Sequence, residues 1–208
     1  MVSQVKYFER IPALPSRKSI LLRLGYNPHL TVLSESHQQN LDEGIVSGAA
    51  LCNLAGAYCR VRIEEHGPEK VVLENRQVFR SANLAKLLRN SDEVLLMAST
   101  VGNDIVESIR QAVSGGNAAH GVILDAVASE TADTGLDWIM SILNNLLAKE
   151  GKKLTKHRYS PGYGDLPLAN QKIIFDMLGL ERLHMCLTNE LILVPEKSVL
   201  AIAGIEAV

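Results

Sequence analysis

Apolar residues recur along this chain with two different periods, and the places where the period changes mark its elements. A helix from Ser16 to Leu24 is predicted to end at Gly25, where glycine takes a left-handed cap. Leu41, Ile45, Ala49, Cys52 and Leu54 form a helical stripe, predicting a second helix from about Ser34 to Tyr58. Arg60-Val61-Arg62-Ile63 and Val71-Val72-Leu73 read as strands joined through His66-Gly67-Pro68 into a hairpin. Leu84, Leu87 and Leu88 mark a short helix capped by Ser81 or Asn83. Val94-Leu95-Leu96-Met97-Ala98 is continuously apolar, the pattern of a strand covered on both faces. It leads through Ser99-Thr100-Val101-Gly102 into a helix carrying Ile105, Ile109 and Val113, which Gly115-Gly116 closes.

A long helix is predicted from Asn117 to about Glu150, with Val122, Ala126, Leu136, Met140, Leu143 and Leu147 inward and a bend available at Gly135. Lys153-Leu154-Thr155 is strand-like, and Gln171 to Leu178 is helical up to Gly179. Leu191 to Val194 and Ser198 to Ile202 read as a terminal antiparallel pair around the Pro195-Glu196-Lys197 turn. With no repeat, low-complexity tract or Gly/Ser/Pro-rich linker, residues 1–208 read as one mixed α+β domain.

Composition narrows the function classes. Apolar residues make up 47% and charged residues 21%, which suits a globular protein of 208 residues with one sizeable core. A formal charge of −2 argues against nucleic acid as a partner, because no basic excess exists to neutralise phosphates. No apolar run approaches membrane-spanning length and Met1 to Arg10 lacks a signal-peptide core, so a soluble, cytoplasmic protein with no membrane partner is expected. Cys52, Cys59 and Cys186 lack metal-ligand spacing, and two sit in apolar company, which predicts inert thiols. The histidines are scattered without a His-Glu-x-x-His pattern, so no metal site is expected.

The densest candidate chemistry is Arg158-Tyr159-Ser160-Pro161-Gly162-Tyr163-Gly164-Asp165-Leu166-Pro167. Pro161-Gly162 suits the centre of a type II turn, proline fixing its own φ and glycine accepting the positive φ that follows. Arg158 can hold a ligand carboxylate through two parallel hydrogen bonds; equally, it can pair with a nearby Asp or Glu. Tyr163 can stack on a base or donate its hydroxyl, or anchor the turn half-buried. Asp165 is placed to cap the helix that follows it. Asp125, Glu130 and Asp133 read as a solvated face of the long helix, or as the source of one carboxylate for a ligand ammonium. A strand feeding Thr100-x-Gly102 and a helix N-terminus is a generic anion-binding geometry, although Thr100 reads more simply as a helix N-cap. No glycine-rich nucleotide fingerprint, nucleophile with its base or paired catalytic carboxylates stands out. Any chemistry is thus expected to lie in binding and orienting a reactive cofactor.

These residues resemble the activation (reactivation) domain of cobalamin-dependent methionine synthase, in stand-alone form. Arg158 through Tyr163 fits the family's Arg-x-x-x-Gly-Tyr signature. Three other segments are in the expected order: Arg23-Leu24-Gly25-Tyr26, Ala98-Ser99-Thr100-Val101-Gly102, and Leu187-Thr188-Asn189-Glu190 followed by Pro195-Glu196-Lys197-Ser198-Val199 and Gly204. The resemblance implies a twisted antiparallel sheet with flanking helices, one of them long, and a shallow groove for S-adenosylmethionine. It implies that Arg158 holds the methionine carboxylate, that Ser160 and Gly162 present backbone to the adenine side, that Tyr163 lines the groove, and that Glu130 contributes from the long helix. No catalytic residue is implied.

Cobalamin would reside on a partner, either a corrinoid protein or a methionine synthase lacking its own activation domain. A flavodoxin-like donor would supply the electron for reductive methylation of cob(II)alamin. A non-catalytic partner of a corrinoid protein and a small-molecule sensor are the alternatives. Fused family members carry an early acidic residue in an Asp-Trp setting, whereas the only tryptophan here is Trp138.

Overall fold

In the computed structural model, which describes residues 4–27 and 29–208, the long apolar strand forms the middle of the molecule. The strands are β1 (Lys6–Phe8), β2 (Ala55–His66), β3 (Lys70–Leu73), β4 (Val78–Arg80), β5 (Ser91–Thr100), β6 (Lys152–Leu154), β7 (Cys186–Leu187), β8 (Leu193–Val194) and β9 (Ser198–Ala207). The helices are α1 (Arg17–Arg23), α2 (Glu35–Leu51), α3 (Ala82–Leu88), α4 (Asp104–Ser114), α5 (Ala118–Ala148) and α6 (Asn170–Leu178). Seven strands form one antiparallel sheet in the order β4-β3-β2-β5-β9-β6, with β1 also paired to β2; β7 and β8 make a separate pair.

Val94 through Ala98 are all fully buried because β5 lies between β2 and β9 and both faces of the sheet are covered. The pleat divides them. Val94, Leu96 and Ala98 pack with α3 and α6 residues, together with Leu200 and Ile202 of β9. Leu95 and Met97 face α4 and α5, alongside Ala201, Ala203 and Ile205. Helix α5 runs behind the sheet with Leu136, Ile139, Leu143 and Leu147 inward, while Ile20 of α1 and Ile45 of α2 pack against its Ala126 and Val127. None of the described helices is long and apolar enough to cross a membrane.

Several boundaries differ from the periodic reading. Helix α2 ends at Leu51 rather than near Tyr58, because Cys52 turns extended and Ala55 to Arg62 are drawn into register with β5. Ala57, Cys59 and Val61 then alternate inward, which a small-residue strand shares with a helical stripe over such a short window. The predicted C-terminal hairpin does not form: β8 pairs with β7, and β9 pairs with β5 and β6. Apolar on both faces, β9 is stabilised between two strands, whereas a two-strand ribbon would leave one face wet. Val122 is exposed, the inward path at the start of α5 running through Gly121 and Leu124. Thr100 ends β5 and accepts from the Gly102 N–H (3.3 Å) and the Ser198 hydroxyl (2.8 Å); the helix cap is Asn103. Strand β4, with Phe79 as its one buried residue, gave no periodic signal.

Candidate functional site

The Arg158 segment is tied to the sheet edge. Thr155 N–H donates to Gly204 O (2.9 Å), and Tyr159 exchanges two 2.8 Å backbone bonds with Ile202 of β9. Extended backbone sends consecutive side chains to opposite faces. Tyr159 therefore packs toward α3 and α6, and Arg158 reaches over the edge to α5.

The chain then turns. Tyr163 N–H donates to Ser160 O (3.2 Å) and Gly162 sits at φ 89°, as a type II turn around Pro161-Gly162 requires. Leu166 closes the bend through bonds to and from Gly162 and Tyr163, and its side chain is buried. Asp165 caps a helix, but not the one that follows. Its carboxylate accepts from the Ser81 hydroxyl (2.5 Å) and the Ala82 (2.6 Å) and Asn83 (3.2 Å) N–H groups, clamping the turn onto the start of α3. The Ser81 bond, with the backbone donors, holds that carboxyl below the usual carboxylate range. Helix α6 starts without a side-chain cap. The reason is spatial: Ser81 and Ala82 lie next to the bend although they are far away in sequence.

On α5, Glu130, Asp133 and Asp137 share one helical stripe, and two arginines from elsewhere lie along it. Arg23, from the end of α1, bonds Glu130 (2.5 Å) and Asp133 Oδ2 (3.1 Å). Arg158 bonds Asp133 Oδ1 (3.2 Å) and Asp137. The run Glu130–Arg23–Asp133–Arg158–Asp137 thus links α1, α5 and the bend. Asp125 is outside it, paired with Lys197 (2.6 Å).

The structure brings Arg158 and Glu130 together through Arg23 and Asp133. It puts Ser160, Gly162 and Tyr163 on the turn, with Tyr163 69% exposed and the Ser160 N–H without a partner among the described residues. Arg23 and Asp137 were not singled out as site residues by sequence reasoning. The available signal was spacing, since Glu130, Asp133 and Asp137 follow the i, i+3, i+7 rule.

Two open grooves meet at Arg158. One, of about 570 Å³, lies over α5 between Asp137, Ser141, Asn144 and His157. The other, of about 680 Å³, lies between α3 and residues 155–159 and shares Lys156, His157 and Arg158 with the first. The first offers a carboxylate beside the guanidinium, a pairing that can receive both charges of an amino acid. The second is walled by cations.

No family model and no curated protein matches this chain. Among solved structures, the crystal structure of the MetH reactivation domain bound to AdoHcy is similar, with a TM-score of 0.67 at 13% identity over 97% of this chain and 78% of that chain. The likeness is one of architecture: the chain is a single α+β domain with the fold of the MetH reactivation domain.

Proposed function

We propose that this chain binds S-adenosylmethionine and acts as a reactivation subunit for a corrinoid protein, a separate polypeptide carrying cobalamin. The observation that carries the reading is the partly buried Arg158 guanidinium, 24% exposed, set at the mouth of the α5 groove on a domain of this fold. The ligand's carboxylate meets Arg158 and its ammonium meets Asp137, while the free Ser160 N–H and the Tyr163 ring serve the adenine side. The sulfonium is an activated methyl donor, and the reduced cobalt of the partner's corrinoid is the acceptor. A flavodoxin-like protein supplies the electron that reduces it. This chain's part is to hold the donor in line and exclude water, which needs no acid–base pair. Titration calorimetry tests the binding step. S-adenosylmethionine should give heat that S-adenosylhomocysteine competes away, and Arg158→Ala should weaken binding by about 1.5–3 kcal/mol. Absence of heat from the wild-type chain rejects the reading.

One observation favours a second reading, a partner of a corrinoid protein that does not transfer methyl. Arg158 already has carboxylates on both terminal nitrogens, so a ligand carboxylate must displace or share one of them. Capture of a corrinoid protein with no methylation of its reduced cobalamin would establish that alternative.

A further inference from the structure

The second groove shares Lys156, His157 and Arg158 with the first, but Lys86 and Arg89 line it where Asp137 lines the other. Its walls come from two separate parts of the fold: Lys86 and Arg89 at the end of α3, and Lys156 after β6. None of these three has a carboxylate partner among the described residues, and all three are exposed. The helix dipole accounts for a cation at the end of α3, but not for the convergence of Lys156 from another element onto the same hollow. Among the described residues, Glu206 is the lone carboxylate on the wall. Asn83 and Asn90 add side-chain amides with no partner among the described residues, and Leu87 and Tyr159 supply apolar surface. An arginine fork, two ammonium points and neutral amide donors around one concavity match the oxygens of a phosphate chain.

The groove's volume lies within the range of small-molecule sites, about 300–1,000 Å³, which favours a compact ligand over an acidic protein surface. Its charge is wrong for a sulfonium. From this geometry we infer that the α3 groove is a second ligand site, for a small molecule carrying a di- or polyphosphate group. The inference stands apart from the S-adenosylmethionine reading: failure of that ligand to bind leaves it untouched.

The test is calorimetric titration of the full chain with inorganic pyrophosphate at low ionic strength. Saturable binding is expected, weakening as salt is raised. Lys86→Gln and Arg89→Gln should each reduce affinity about tenfold or more. Lys18→Gln, an exposed cation on α1, should leave it unchanged. Circular dichroism of each variant establishes that it remains folded. Three results overturn the proposal: no saturable binding of pyrophosphate, an equal loss in Lys18→Gln, or binding of polyglutamate alone, which would make the surface a protein-docking one.

Discussion

Arg23 and Arg158 take opposite oxygens of one carboxylate, Asp133, at 3.1 and 3.2 Å. Asp133 is 42% exposed, so water competes for both bonds and the stabilisation is modest. Asp133→Asn is expected to cost about 1 kcal/mol or less, a drop in thermal midpoint of ~2–4 °C at most. Melts in low salt and in molar salt check this: the difference should shrink at high salt, and an undiminished difference would show that the pairing is not its cause.

That ion chain also marks what the sequence could not say. Strand β5 was legible as an unbroken apolar run, α1 from its end signal at Gly25, and α4 and α5 from a sustained helical period. The type II turn was legible because Pro161-Gly162 encodes it locally. Asp165 capping α3, Arg23 meeting Glu130, and β9 leaving β8 for β5 depend on which segments come together in space, information that no window of neighbours holds. The overrun of α2 shows the complementary failure. Cys52 and Leu54 satisfy a helical stripe, yet ladder bonds to β5 over Ala55 to Arg62 decide the outcome.

The clamp between Asp165 and Ser81 makes stability depend on pH in a definite direction. The folded state lowers the Asp165 pKa beneath 3.8, through the Ser81 hydroxyl first, so its contribution is fully present above that value. It fades as pH falls through the lower, folded pKa. Asp165→Ala should therefore melt below the wild type at pH 5 to 7, with the gap closing below about pH 3.8. A gap that stays constant to pH 2 would mean that the side chain's packing, not its charge, does the capping.

The three thiols are expected to separate by reactivity. Burial pushes Cys59 up to about 12, and burial also raises Cys52, whereas Cys186 is exposed. A thiol reagent at pH 8 should label Cys186 rapidly, Cys52 slowly and Cys59 only on unfolding, because the thiolate is the reacting form. Peptide mapping of the labelled protein reads the order directly, and early labelling of Cys59 would show local opening of β2.

At Gly135, α5 packs tightly against Ser99 of β5 and Leu54. A Cβ there would overlap the Ser99 hydroxyl and lie 2.9 Å from Leu54 Cδ1. Gly135→Ala should thus destabilise by ~1–3 kcal/mol in spite of alanine's better helix propensity. Ser99 Oγ is buried with no hydrogen-bond partner among the described residues, so Ser99→Ala loses no bond seen there and should be neutral or stabilising. Combining the two should recover part of the Gly135→Ala loss, since the hydroxyl is the first atom in the way. Urea unfolding of both singles and the double measures the coupling, and strict additivity would sink this account of the contact.

Gly162 ties the conformation of the bend to its proposed use. At φ 89° a side chain costs about 1–2 kcal/mol, and an alanine Cβ would also sit 3.1 Å from Leu168 Cδ1. Gly162→Ala should lower stability by that amount and displace the Ser160 N–H and the Tyr163 ring together, since the Ser160–Tyr163 bond spans the turn. Affinity for S-adenosylmethionine should then fall more than in Tyr163→Phe, which keeps the ring and loses only its hydroxyl. Arg158 is pinned upstream by the Tyr159–Ile202 pair, so its bonds to Asp133 and Asp137 should persist in Gly162→Ala. Thermal melts give the first quantity and calorimetry the second. Full affinity in a destabilised Gly162→Ala would separate the turn from the ligand and leave the α5 groove alone as the candidate site.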